Sequence, residues 1–429
     1  MTLFLPKSRA FSPMKTLSFK LACITVLILL AGSSAAFSQP SATTQATTQS
    51  PAAFGWRGDG TGLFPDATPP TNWDAAAKKG ILWSTKVGET LYNSPIVAGN
   101  KVFTLSEPGL LTCLDAQTGK ILWSKSTSFD DLPTKPEATA APAEIGNTTP
   151  TPVSDGQHLY ILFGNGIATC FDLDGARQWI QYLSDPSTTG HGRAASPCLI
   201  DGKLIVAAGA ITALDAKTGT VLWKADKVLE TCGSLVPAII AGVSYIISPT
   251  GHILRCADGS IVAKGPGELA YTSPIVSGER FYFIDGTAYA MQLPQADAAP
   301  KRLWRQDLDG EFFASPVLHE GLIYIASNQG NLYVLDAKDG NLVYSHELDM
   351  ANMSGRPGIA AGALYPSLSL AGKYLYISND QGETVVVQPG KEFRQIALSK
   401  LDDRIAGNLV FSGRRLFIRT RQSVYCIGE

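Results

Sequence analysis

No two of the seven cysteines are adjacent, and no Cys-x-x-Cys-His run occurs, which excludes covalent haem of that type. A Gly-x-x-x-x-Gly-Lys phosphate loop, a Gly-x-Ser-x-Gly elbow and a His-Glu-x-x-His pair are missing too. With them go the usual signatures of nucleotide, serine-hydrolase and zinc-protease chemistry. Charge of one sign is also lacking: the formal net charge is −2 and no basic stripe is visible, so nucleic acid is not expected as a partner. Beyond the first residues no amphipathic stretch has helical length, which argues against a βαβ fold.

What is present is a repeat. Asp115-Ala-Gln-Thr-Gly119-Lys-Ile-Leu-Trp123 returns as Asp215-Ala-Lys-Thr-Gly219-Thr-Val-Leu-Trp223 and as Asp336-Ala-Lys-Asp-Gly340-Asn-Leu-Val-Tyr344. A shortened copy is Asp172-Leu-Asp-Gly175-Ala-Arg-Gln-Trp179. Self-similarity at roughly 40–50 residues marks a repeat architecture. A second marker precedes each copy. Ser94-Pro95, Thr151-Pro152, Ser196-Pro197, Val236-Pro237, Ser273-Pro274, Ser315-Pro316 and Tyr365-Pro366 each open a short apolar run that ends at a Gly. Pro is tolerated where a strand begins, Gly supplies the tight turn, and the Val-, Ile-, Tyr- and Phe-rich runs between them read as strands. In the Asp-Ala-x-Thr-Gly turn the carboxylate caps nearby backbone N–H groups. The Trp four residues later falls on the outermost strand, placed to wedge against the next unit.

Four antiparallel strands per unit and eight such units predict an all-β, eight-bladed β-propeller. The last unit, ending at 423–427, has only three strands, whereas an orphan strand with Trp83, at 80–87, precedes the first unit. That N-terminal strand is expected to complete the eighth blade and cover its edge.

Residues 1–38 read as a secretory signal peptide, with Lys15 and Lys20 ahead of the apolar run 21–31. Cleavage is expected after Ser38, with Ala36 as the alternative, and Met14 is a more ordinary start than Met1. The run falls short of the ~20 residues of a membrane span, so no transmembrane segment is expected after cleavage. The chain is then periplasmic or extracellular. Residues 39–53 are polar low-complexity linker, and 54–429 form the propeller. Cys113, Cys170, Cys256 and Cys426 read as one repeat position on the third strand, where other units carry Ala213, Ala290 or Val334. Exchange with Ala and Val marks them as free, packing thiols.

The pattern Leu-Asp-Ala-x-Thr-Gly-x-x-Leu-Trp, at 114–123 and 214–223, resembles the pyrroloquinoline-quinone-type propeller repeat. The copies span nearly the whole chain after the leader. The resemblance implies the propeller fold and two alternative functions. Quinoprotein dehydrogenases hold the quinone and Ca²⁺ on the propeller face. Non-catalytic periplasmic propellers, among them the lipoprotein subunit of the outer-membrane β-barrel assembly machinery, use the same repeat. The dehydrogenases resemble one another in an adjacent Cys-Cys pair and long insertions, both missing here. The leading expectation is therefore a secreted, non-catalytic binding or scaffold module without a cofactor. A quinone- and Ca²⁺-dependent dehydrogenase of alcohols or sugars is the alternative.

Loops entering the first strand of each blade, the inbound loops, gather on one face with those joining strands two and three. They carry a recurring acid: Glu89, Glu144, Glu230, Glu268 and Glu311. Symmetry places these as a ring, either an acidic face for a cation or basic partner, or solvated loop acids. Gly190-His191-Gly-Arg193 is the best single-site candidate, through His191 and Arg193. Two inbound loops are long: 124–146, and 345–364 with His346, Met350, Met353 and Arg356. A protein or other cell-envelope ligand is expected on this face, because the opposite face holds turns dictated by backbone geometry.

Overall fold

Short β-branched and aromatic runs separated by Gly turns leave antiparallel ladders as the local solution, and eight of them form. The computed structural model describes residues 54–137, 143–183, 189–265, 268–293, 299–350 and 363–429. The expected leader and linker, Met353 and Arg356 lie outside these residues. Blade 1 runs from the axis outward as Ile96–Ala98, Lys101–Ser106, Leu110–Asp115 and Ile121–Ser126. Blades 2 to 7 repeat this order, with first strands Val153–Ser154, Cys198–Ile200, Val236–Ile240, Ile275–Ser277, Val317–His319 and Ser369–Ala371. Helix is almost absent: among the described residues a single 3-10 turn, Phe129–Asp131, sits in the inbound loop of blade 2.

The N-terminal strand closes the circle as the sequence predicts. Ile81–Lys86 pairs antiparallel with Ser423–Ile427, Trp83 opposite Cys426, as the fourth strand of blade 8. Cores lie between blades rather than within them. One cluster joins Phe103, Leu105 and Leu111 of blade 1 to Leu159, Ile161 and Phe163 of blade 2, all at most 1% exposed.

The repeated Trp and the repeated Gly turn prove to be partners across each seam. A Cβ on Gly119 would lie 2.5 Å from the Trp83 ring. On Gly219, Gly259 and Gly340 it would lie 2.4–2.6 Å from Trp179, Trp223 and Trp304. Each Trp thus stacks on the turn of the following blade, where only glycine leaves room. Trp83, Trp179, Trp223 and Trp304 also donate Nε1–H to Ala116, Ala216, Cys256 and Ala337 O at 2.9–3.3 Å. Trp123 is the exception, its Nε1 buried without an acceptor. It faces the turn that is one residue short, Asp172 to Gly175, where Leu173 O accepts from Lys101 Nζ instead.

Cys113, Cys170 and Cys426 pair with Trp123, Trp179 and Trp83 and are at most 2% exposed. Cys256 does not share their position. In blade 4 Arg255 stands where the other turns have Asp, so Ile253 takes the Cys113 place and Cys256 falls at that of Ala116. All six described cysteines are free. Burial pushes the thiols of Cys113, Cys170 and Cys426 up to about 12. Since the thiolate is the nucleophile, these three should resist a disulfide reagent at about pH 8 in the native protein and react fully in urea. Labelling read by mass spectrometry checks this, and native reaction at the rate of a free thiol would refute the packing role.

Upstream of the closing strand, the segment from Phe54 to Phe64 crosses the axis. Phe54 pairs with Ser154 of blade 2. Arg57 Nη2 donates to Pro316 O at 2.8 Å and Leu368 O at 2.9 Å, at the starts of blades 6 and 7. Leu63–Phe64 then adds parallel to Leu370 and Ala371 of blade 7. Arg57 is 2% exposed, so it does not form a surface motif with the exposed Asp59. Burial lowers its guanidinium to about 9, still charged at neutral pH. Gly62 exists for this side chain, since a Cβ there would lie 2.4 Å from Arg57 Nη2.

Candidate functional site

The residue two places before each first strand builds a ring around the axis. Backbone N–H groups of Ser94, Thr151, Ser196, Ser234, Ser273, Ser315, Ser367 and Asn408 each donate to the side-chain oxygen of the next member. The eight bonds measure 2.6–3.4 Å, and Asn408 to Ser94 closes the circle. The polar member of the markers at Ser94, Thr151, Ser196, Ser273 and Ser315 is thus a hydrogen-bond link between blades, whereas Val236-Pro237 and Tyr365-Pro366 miss this position, which Ser234 and Ser367 fill, with Asn408 in blade 8.

Above the ring opens a cavity of about 480 Å³ on the inbound face. Trp56, from the crossing segment, contributes to it from beneath, and most ring members line it. Two residues before each ring member stands the residue that shapes its mouth. Blades 1, 5, 6 and 7 place Tyr92, Tyr271, Phe313 and Tyr365 there, while blades 2, 3, 4 and 8 place Thr149, Ala194, Cys232 and Ala406. The large rings form a continuous arc. Tyr271 meets Phe313 edge-on at 4.6 Å, Phe313 stacks on Tyr365 at 5.2 Å and 10°, and Tyr365 meets Tyr92 at 5.4 Å. Burial raises the three tyrosines, so the wall is uncharged at neutral pH.

The sequence candidates are distributed over this face and beneath it. His191 is exposed, its Nδ1 3.0 Å from Glu144 Oε2, and both line the cavity. The His191 ring lies 6.5 Å from Tyr271, at the end of the aromatic arc. Arg193 turns the other way. It is 1% exposed, and its Nε donates to Glu230 Oε2 at 3.1 Å and Nη1 to Gly164 O at 2.8 Å. Glu230 also accepts from Gly209 N, so the pair ties the inbound loops of blades 3 and 4 to the turns of blades 2 and 3. Glu89, Glu268 and Glu311 are exposed, Glu268 with Lys264 at 3.9 Å, and none of the three lines the cavity. The five carboxylates are therefore not one ring: Glu230 belongs to the frame and Glu144 to the cavity. In the long loop before blade 7, Met350 is buried among Leu348, Leu364 and their neighbours, and His346 stacks on Phe393.

Sequence reasoning missed the aromatic arc and Glu107. The Glu107 carboxylate, in the turn of blade 1, accepts from the N–H groups of Asn147 and Thr148 and from Thr148 Oγ1. A signal for the arc existed, because all four rings stand at one repeat position. The lining does not fit a Ca²⁺-bound quinone. Among the described residues no three His, Cys, Asp or Glu converge to hold a cation, and no Lys or Arg lines the cavity to neutralise a polycarboxylate.

Comparison with known proteins adds the family. The family model for outer membrane protein assembly factor BamB matches residues 71–262 and 201–429. Outer membrane protein assembly factor BamB of Yersinia pestis is 24% identical over 341 residues, covering 66% of this chain and 85% of that protein. Its Escherichia coli K12 counterpart is 26% identical over 347 residues, covering 66% and 84%. In structure, BamB from Moraxella catarrhalis has a TM-score of 0.58 at 14% identity, covering 81% of this chain and 99% of its own. A europium-containing methanol dehydrogenase also reaches 0.58 at 12% identity, covering 86% and 96%. Propeller geometry alone therefore does not separate assembly factor from dehydrogenase.

Proposed function

Because the chain belongs to the family of outer membrane protein assembly factor BamB, we propose that it is a non-catalytic propeller of the cell envelope that binds protein during outer-membrane protein assembly. In this reading it is exported by the leader at 1–38, works in the periplasm and needs no cofactor. The partner docks on the inbound face.

The contrast between the two faces carries the reading. On the far face, turns such as Asp115 to Gly119 are used up internally: Asp115 accepts from Gln117 N, Thr118 N and Thr118 Oγ1, and Gly119 sits under Trp83. On the inbound face, Glu89, Glu268 and Glu311 are exposed side chains on loops, where no turn geometry demands an acid. Exposed carboxylates of one sign favour a partner with a basic patch and act mainly on association.

Charge reversal of all three, Glu89→Lys, Glu268→Lys and Glu311→Lys, tests the reading in the native host. A strain lacking the protein should show less folded β-barrel protein in its outer membrane. The wild-type chain should restore it and the reversed chain should not, while a far-face control, Lys338→Glu, should. Full restoration by the reversed chain would place the partner elsewhere.

A further inference from the structure

The cavity inside the inbound mouth has chemistry of its own, separate from the carboxylates around it. One wall is the aromatic arc of Tyr271, Phe313 and Tyr365. The floor is the hydroxyl ring. Thr151, Ser196, Ser234, Ser273, Ser315 and Ser367 each accept one backbone N–H through the side-chain oxygen. A hydroxyl used only as acceptor still holds its proton and a second lone pair. Beside the Tyr271 end of the arc stands the Glu144–His191 pair, able to accept and to donate.

These walls discriminate between ligand classes. An anion would find no Lys or Arg among the lining residues. A cation prefers ring faces turned toward one point, whereas Phe313 and Tyr365 spend their faces on each other. A wholly apolar group would strand the floor hydroxyls without water or partner, which is costly. A sugar ring has the matching amphipathy, one face of C–H groups and a rim of hydroxyls that both donate and accept. The volume lies within the range of small-ligand pockets.

We propose that this cavity binds the uncharged end of a saccharide. The C–H face of the sugar lies on Tyr271, the exposed ring at the end of the arc that Phe313 braces edge-on, and its hydroxyls reach the serine ring and the Glu144–His191 pair. The site acts independently of the protein partner, because the carboxylates that would meet that partner, Glu89, Glu268 and Glu311, lie outside the cavity.

Isothermal titration of the purified protein with glucose, galactose, N-acetylglucosamine, cellobiose and chitobiose tests the proposal. At least one of these should bind saturably. Tyr271→Ala combined with Phe313→Ala should weaken it by about tenfold or more, while Tyr271→Phe, which keeps the ring, should retain it. If the double variant fails to fold, Tyr271→Ala alone gives the same reading, since Tyr271 is 38% exposed and carries little packing. Binding of none of the five sugars would overturn the proposal, and so would sugar binding that survives loss of the rings. Binding of N-acetylphenylalaninamide in place of every sugar would do the same and assign the cavity to a peptide side chain.

Discussion

Truncation through Val87 is expected to lower the urea midpoint of unfolding sharply, whereas truncation through Ala53 should leave the denaturation curve unchanged. Three losses add up in the longer deletion. The Ile81–Lys86 strand goes, and with it the ladder to Ser423–Ile427 and the Trp83 ring over Gly119. Trp73 goes as well, 1% exposed between blades 7 and 8, with its backbone N–H on Ser399 Oγ. Removing a buried Trp costs about 3–5 kcal/mol, a large part of the ~5–15 kcal/mol that holds a domain. Arg57 and its bonds to blades 6 and 7 are the third loss. The strand Ser423–Ile427 would be left as an open edge, which invites association between chains. A deletion through Lys79 separates the contributions, since it removes Trp73 and Arg57 but keeps the closing strand. Its midpoint in urea should fall between the other two. Equal midpoints for the deletions through Ala53 and Val87 would refute closure by the N-terminal strand.

Much of this architecture was legible because it repeats. Asp115, Asp215 and Asp336 announce the same turn, and the Trp four residues after its Gly announces the next seam. Even closure could be read, since a strand with Trp83 stood unpaired at one end and a three-stranded unit at the other. What escaped was whatever departs from the repeat. The path of residues 54–64 across the channel occurs once, and its anchors at Pro316 and Leu368 lie more than 250 residues away. The Cys256 register slipped because Arg255 replaces the turn Asp. The aromatic arc lay in plain view, two residues before each ring member. It went unread because blades 2, 3, 4 and 8 put small residues at that position.

Arg193 escaped for another reason: a cation beside an exposed histidine in a loop looks like surface. Its removal is expected to be among the most damaging single changes in the chain. Arg193→Ala would leave the Glu230 carboxylate buried with its cation gone, since both side chains are 1% exposed. Breaking one half of such a pair costs about 3–5 kcal/mol, because the remaining charge keeps its desolvation penalty. Glu230→Ala should do comparable harm by stranding the guanidinium. The double change Arg193→Met with Glu230→Leu should recover much of the loss, because apolar groups of similar volume carry no such penalty. By contrast His191→Ala should leave stability nearly unchanged, its pair with Glu144 being exposed and worth at most about 1 kcal/mol. Urea midpoints of the four variants decide between frame and face. If Arg193→Ala matches wild type, the pair is not a clamp. If the double variant is as unstable as the singles, packing rather than charge explains the cost.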